Sequence, residues 1–407
     1  MNTSFWNKEG TKSVLASLIA ILVGMLAGSV IIVVVGLGNA NMGLKGALEG
    51  IRLVVAGLFS KGRDASGNLA FGFNPTTFGN MLFRATPLIM TGLSVALGNK
   101  AGLFNIGASG QYLAGTTASL YIALSIPTTS VPAWLVWVLA FVGGMLAGAC
   151  WGAIPGLLKA YLNINEVLAC IMTNWIAANL TTWLFDIGNL KNVAEGTKTA
   201  YVYKTSFNNV STAKMGLDKV FAGSQANGGI LLAILLAIVV YVLLSKTTLG
   251  YELKACGANR YAARYAGIRD KRNIVLTMAM AGALAGGGAA LYNLAGNTEF
   301  FWNTYQSLPA EGFNGIPVAL LAVNNPLGVV FAAMFMSMLN ICGQQLTNLT
   351  AYNEYITDVI IAVIVYLSAF MLVIKLWLTK VNKRRSANKA AVSTQAPVST
   401  KGKGAAE

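Results

Sequence analysis

The 407-residue chain is 55% apolar and 11% charged, with 44 glycines, a balance that argues against a water-soluble domain and for an all-α, polytopic membrane helix bundle. Its net charge of +15 sits in loops and at the ends of apolar runs rather than along one basic face with interleaved aromatics, which argues against nucleic acid as a partner. Histidine is absent, and Cys150, Cys170, Cys256 and Cys342 have no CxxC spacing, so no catalytic residue, metal site or disulfide framework is predicted.

The first apolar run, 14–36, follows Lys8 and Lys12 and is longer than the apolar region of a secretory signal. It also lacks a small-residue cleavage site, and reads as a retained helix with a cytoplasmic N-terminus. Further spans are predicted over 77–97, 104–126, 134–158, 167–185, 229–244, 274–295, 313–323, 327–341 and 355–378. That makes about ten crossings of a hydrocarbon layer roughly 30 Å thick. An even count returns the C-terminus to the cytoplasm beside Lys380, Lys383, Arg384 and Arg385.

The polar segments 38–76 and 186–228 then face outward; the second is either a short hairpin at the outer mouth or a solvated loop. Residues 1–380 are expected to form one transmembrane domain, and 381–407 a disordered, basic cytoplasmic tail too poor in apolar residues to fold.

Gly144, Gly148, Gly152 and Gly156 recur every fourth residue and share a helix face; Gly24 with Gly28 and Gly282 with Gly286 repeat the spacing. Such faces permit close helix packing, with a hinge role as the alternative. Three spans look broken or re-entrant, because polar groups at membrane depth persist where they face protein or a water-filled path. They are AGLFNIGASGQY, LNINEVLACIMTNW and EGFNGIPVALLAVNNPLG.

Their amides, Asn105, Gln111, Asn165, Asn174 and Asn314, together with Gln344, are candidates for a substrate path, and equally for ties between helices. Scarce charge within the spans suits a neutral polar solute, nucleoside or sugar alike. Glu166 reads as a membrane-edge carboxylate, a partner for Lys159 or a path residue, and Arg84 as an interfacial anchor that snorkels.

The segment 246–272 carries Lys246, Lys254, Arg260, Arg264, Arg269, Lys271 and Arg272 against Glu252 and Asp270, which places it in the cytoplasm. Its core, YELKACGANRYAARYAGI, lies between two apolar runs and is suited to meeting a protein partner. No GxxxxGK[ST] phosphate loop occurs, so any ATP that drives the protein must be bound by another subunit.

Four stretches in order, TPLIMTGLSVALGNKAGLFNIGASGQYLAG, GAIPGLLKAYLNINEVLACIMTNWIA, LGYELKACGANRYAARYAGI and EGFNGIPVALLAVNNPLG, resemble the permeases of ABC importers for nucleosides. These are related to the ribose and branched-chain amino acid permeases. The resemblance spans about 77–378 and implies a bacterial plasma-membrane protein, without its own cofactor or ATPase site, that performs no chemistry.

It further implies an ABC ATPase partner, a second and different permease chain, an extracellular lipid-anchored substrate-binding protein, and nucleoside as cargo amid membrane lipid. Residues 250–268 would be the coupling helix, with Gly257 and Gly267 allowing close approach and turning, Ala262 and Ala263 keeping the docking face slim, and Tyr261 and Tyr265 as anchors. Asn259 belongs to the same set, and Arg260 and Arg264 would meet acidic groups. Where such permeases commonly read FNIGxEGQ, this chain has Ser109, so no charge-based role carries over there. A permease for a sugar such as ribose, and an ion-coupled secondary transporter, are the alternative readings.

Overall fold

A computed structural model describes residues 9–38, 42–187, 200–201, 210–296, 298, 300–302, 306–353 and 355–369. Over these residues the chain is a helix bundle with two minimal β-pairs. Its helices are α1 (Glu9–Gly38), α2 (Gly43–Ala56), α3 (Pro75–Lys100), α4 (Ala108–Ser125), α5 (Ala133–Leu162), α6 (Glu166–Ile187), α7 (Leu217–Val220), α8 (Gly229–Lys246), α9 (Thr248–Ala258), α10 (Arg260–Tyr265), α11 (Asp270–Asn293), α12 (Ala310–Leu321), α13 (Pro326–Leu349) and α14 (Tyr355–Ala369). Among the described residues seven of these, α1, α3, α5, α6, α8, α11 and α13, are long and apolar enough to cross a membrane.

Of the other three predicted spans, α4 equals α8 in length at 18 residues but is less apolar, while α12 has 12 residues and α14 is described over 15. At 1.5 Å per residue α12 reaches only about 18 Å. The predicted tail 381–407, with Lys380 just before it, and most of 188–209 lie outside the described residues.

One end of the bundle, called the near end here, carries Lys100, the α9–α10 pair and the start of α11, where Asn99 Nδ2 donates to Asn324 Oδ1 at 2.8 Å. The far end carries α2, the hairpin of β1 (Ser60–Arg63) and β2 (Leu69–Phe71), and residues 210–228. There Arg63 bridges Glu49 and the Leu349 carbonyl, each at 2.7 Å, clamping hairpin, α2 and α13 together. Part of the segment read as either a short hairpin at the outer mouth or a solvated loop pairs outside itself. Its β3 (Ala200–Tyr201) pairs antiparallel with β4 (Phe301–Trp302), and Thr212 N donates to Leu294 O at 2.8 Å.

Helix α2 falls inside a stretch read as a polar outer segment, yet Ala47, Gly50, Leu53 and Val54 line its buried face. Their spacing, three or four residues apart, is the amphipathic signal that marks it.

α3 and α11 form the interior, and α11 lies against α5 along the glycine stripe. A Cβ on Gly148 would collide with the Gly282 carbonyl, one on Gly152 with the Met278 carbonyl, and one on Gly286 with the Gly144 carbonyl. The two backbones therefore touch without a side chain between them, the close packing the four-residue spacing predicts.

Apolar side chains gather in two main cores. The larger draws on α3, α4, α5, α8, α11, α12 and the near half of α13, including Val329, Ala333 and Met336. The second draws on Ile32, Leu53 and Val54, the far half of α13 through Leu339 and Leu346, and Tyr352, Ile356 and Ile360. Tyr352 Oη donates to the Ile32 carbonyl at 2.8 Å and so fastens the α13–α14 connection to α1.

Candidate functional site

α4 and α12 meet end to end inside the bundle. Between α3 and α4 the chain runs without helix, turning at Gly102 with φ +72°, and α4 starts at Ala108. α4 runs toward the far end and α12 toward the near end, so their N-termini face each other. Ser109 Oγ donates to the Pro309 carbonyl at 3.0 Å, and a Cβ on Gly312 would lie 2.7 Å from the Ser109 nitrogen. Each helix N-terminus carries a partial positive charge. Glu311, in the first turn of α12, places a carboxylate at this junction, within electrostatic reach of Tyr112 and Tyr292.

Three of the predicted path amides hold this break together. Asn105 Nδ2 donates to Ser94 Oγ (3.0 Å) and Gln111 Oε1 (2.9 Å), and Gln111 Nε2 returns a bond to Asn105 Oδ1 (3.0 Å). Asn174 on α6 accepts from the Gly110 amide at 2.9 Å and donates to the Ile106 carbonyl at 3.1 Å. All three side chains are buried, and backbone groups freed by the break find partners, as membrane depth demands.

The other three amides lie apart. Asn165 is exposed and caps α6, accepting from the Val167 amide at 2.8 Å. Asn314 is half-buried on α12 and makes no side-chain hydrogen bond among the described residues. Gln344 is exposed in a polar cleft beside α14. Glu166 pairs with Lys159 at 2.9 Å, the second of the three readings its sequence left open. Arg84 is the tenth residue of α3, is exposed and lines the same cleft as Gln344.

At the near end the stretch expected as one coupling helix is two. Asn259 adopts φ −158° and ψ 106°, ending α9, and its Oδ1 accepts from the Ala262 amide at 3.0 Å to start α10. An Asn there competes with the helix for backbone hydrogen bonds and converts one helix into a bent pair. Arg260 Nε donates to Asp270 Oδ2 at 2.7 Å, tying α10 to the first residue of α11.

The pair bounds a groove of about 600 Å³ whose lining includes Ala255, Asn259, Ala262, Ala263 and Ile268. On α10, Tyr261 and Tyr265 stand 84% and 98% exposed, with Arg264 also exposed, while Ala263 is buried. Gly267 sits at φ +83° with open space around it and turns the chain out of α10. Gly257 instead packs on the turn after α3: a Cβ there would lie 2.6 Å from the Lys100 carbonyl oxygen and 2.7 Å from the Gly102 nitrogen. Sequence spacing gave no sign that Gly102 is its partner.

Among the described residues no group of three or more His, Cys, Asp or Glu is placed to hold a metal ion. The described residues thus present a broken helix segment, an exposed groove beside α9 and α10, and a polar cleft.

Residues 77–369 match the family of branched-chain amino acid transport system permease components. The chain is 37% identical over 327 residues to the nucleoside ABC transporter permease protein NupB of Lactococcus lactis subsp. cremoris, covering 77% of this chain and 88% of that one. It is 32% identical over 370 residues to the guanosine ABC transporter permease protein NupP of Bacillus subtilis, covering 91% and 97%. Against the glucose ABC transporter permease protein TsgB13 of Haloferax volcanii it is 31% identical over 292 residues, covering 70% and 74%. A family match over more than half the chain and these long alignments agree with the helical bundle and its broken spans: the chain belongs to the branched-chain amino acid transport system permease component family.

Proposed function

We propose that the chain is a pore subunit of an ATP-driven importer that carries nucleosides, with the α9–α10 pair as the surface that receives a separate ABC ATPase. In this reading the near end is cytoplasmic, as are both termini, and the membrane is the bacterial plasma membrane. A second permease chain completes the pore, and a lipid-anchored binding protein delivers cargo at the far end. No cofactor is held by the chain itself, ATP being bound by the partner.

The seating of Gly257 on the Lys100–Gly102 turn carries the reading. Motion of the docking pair reaches that turn directly, because two backbones in contact leave no side chain to absorb it. The turn leads within a few residues into the broken segment locked by Asn105, Gln111 and Asn174. Nucleoside as cargo is supported by the relatives from Lactococcus lactis and Bacillus subtilis, whose names state nucleoside and guanosine.

The test is uptake of radiolabelled uridine and guanosine by cells that carry or lack this chain, challenged by unlabelled nucleosides, ribose, glucose and leucine. Nucleosides should compete and the others should not. Competition by the sugars alone would move the cargo to the class named for the Haloferax volcanii relative. Uptake that survives loss of the ATPase and collapses with an ionophore would replace the mechanism with ion coupling.

A further inference from the structure

Arg84 on α3 and Asp358 on α14 stand on one cleft of about 500 Å³, whose remaining wall is the face of α13 bearing Asn340, Gln344 and Asn348. Those three are spaced four apart and so project from one side of the helix. No hydrogen bond or ion pair of these five side chains occurs among the described residues. Arg84, Gln344, Asn348 and Asp358 are exposed on this lining, so their donors and acceptors are free to meet an occupant of the cleft.

Arg84 is nine residues from the start of α3 and Asn340 nine from the end of α13. Arg84 therefore lies about 14 Å from the start of its helix, and Asn340 about 14 Å from the end of its own. An unpaired arginine that far into a membrane-spanning helix is costly against lipid, so its face turns to a water-filled path or a ligand. The donor and acceptor set is mixed: a guanidinium and three amides give N–H groups, and a carboxylate takes them.

We propose that this cleft is the cargo site of the permease and seats a nucleoside, with Asp358 accepting base N–H groups. Arg84 and the α13 amides meet the base carbonyl and the ribose hydroxyls. Tyr355, 64% exposed on the same lining, supplies a ring against which a base can stack. The proposal rests on the nucleoside-importer reading, and its test separates the two.

The full transporter, with ATPase, second permease and binding protein, is reconstituted in proteoliposomes and labelled with photoactivatable 8-azidoguanosine. Label is expected on peptides spanning 340–358 and should be displaced by excess guanosine. Gln344→Ala and Asp358→Asn are expected to lose at least tenfold of both label and nucleoside imported per ATP hydrolysed, while the complex keeps its wild-type elution profile.

Wild-type import by both variants, or displaceable label confined to other helices, overturns the cleft while leaving the importer reading standing. Variants that fold but no longer hold the second permease also overturn it, by making the cleft a subunit seam. A wild-type complex that neither imports a nucleoside nor takes up displaceable label overturns the importer reading itself.

Discussion

Gly102 and Gly257 meet backbone to backbone: a Cβ on Gly102 would lie 2.8 Å from the Gly257 Cα, and one on Gly257 would lie 2.7 Å from the Gly102 nitrogen. Gly102 also needs its φ of +72°, which other residues adopt at a cost. Neither neighbour can yield, because both are main chain. Gly257→Val is therefore expected to force α9 off the turn and cut nucleoside uptake by at least tenfold, with protein still inserted and ATP hydrolysis no longer tied to transport. Gly267→Ala, strained by its φ but facing open space, should cost only about 1 kcal/mol of local stability and leave most uptake. Equal uptake by both variants would remove the contact from the coupling route.

The reciprocal amides of Asn105 and Gln111 predict a stability effect rather than a change in cargo preference. Asn105→Ala leaves Gln111 and Ser94 without their partner in a buried place, a loss of about 1 to 3 kcal/mol by the usual cost of an orphaned group. Gln111→Ala should cost a similar amount, and the double variant clearly less than the sum. Thermal unfolding in detergent measures all three. Additive losses would mean the pair does not act as a unit.

The α5–α11 contact distinguishes glycines that share one helix. Gly148→Ala drives a methyl group into the Gly282 carbonyl, whereas Gly143→Ala meets only the terminal carbon of Ile122, which can rotate away. The first variant should lose the monodisperse peak in detergent chromatography and the second should keep it. Two indistinguishable profiles would argue against backbone contact between these helices.

Cys256 lies in α9, outside the spans, and burial raises its thiol above the ordinary value, a shift that the Asn273 side chain only partly offsets. A raised pKa lowers the thiolate fraction at neutral pH, and thiolate is the reacting form. Labelling by a membrane-impermeant maleimide should be slow at pH 7 and quicken with each step toward alkaline pH. In a Cys150→Ala, Cys256→Ala background, Ala262→Cys, exposed on α10, should label fast and only from the near side. Rapid labelling of Ala262→Cys in intact cells would place the docking pair outside.

Much of this architecture was legible in the chain because membrane-depth chemistry leaves strong marks. The run AGLFNIGASGQY places amides where lipid leaves polar groups unsatisfied unless protein pairs them, and the helix does break there. The stripe at 144, 148, 152 and 156 announced a close helix contact by period alone, though its partner, 278–286, had to be seen.

Three features were not legible. The break at Asn259 depends on one side chain capping the next helix, an effect that composition averages away. Helix α2 hid because 14 residues with three charges resemble a loop more than a span. The cleft draws on α3, α13 and α14, more than 250 residues apart in sequence at its extremes, so no local spacing brings Arg84 together with Asp358.

α13 is embedded in two bodies at once: Val329 to Met336 are held by the larger core, and Leu339 to Leu346 by the smaller. The changeover falls around Ser337, whose hydroxyl donates to the Met81 carbonyl at 2.7 Å. Asn340 begins the cleft one turn beyond that changeover. Twisting the bundle would thus change the spacing between Arg84, which rides with the larger body, and Asp358, which rides with the smaller, and a solute bridging them would feel its grip tighten or fail without any helix unfolding.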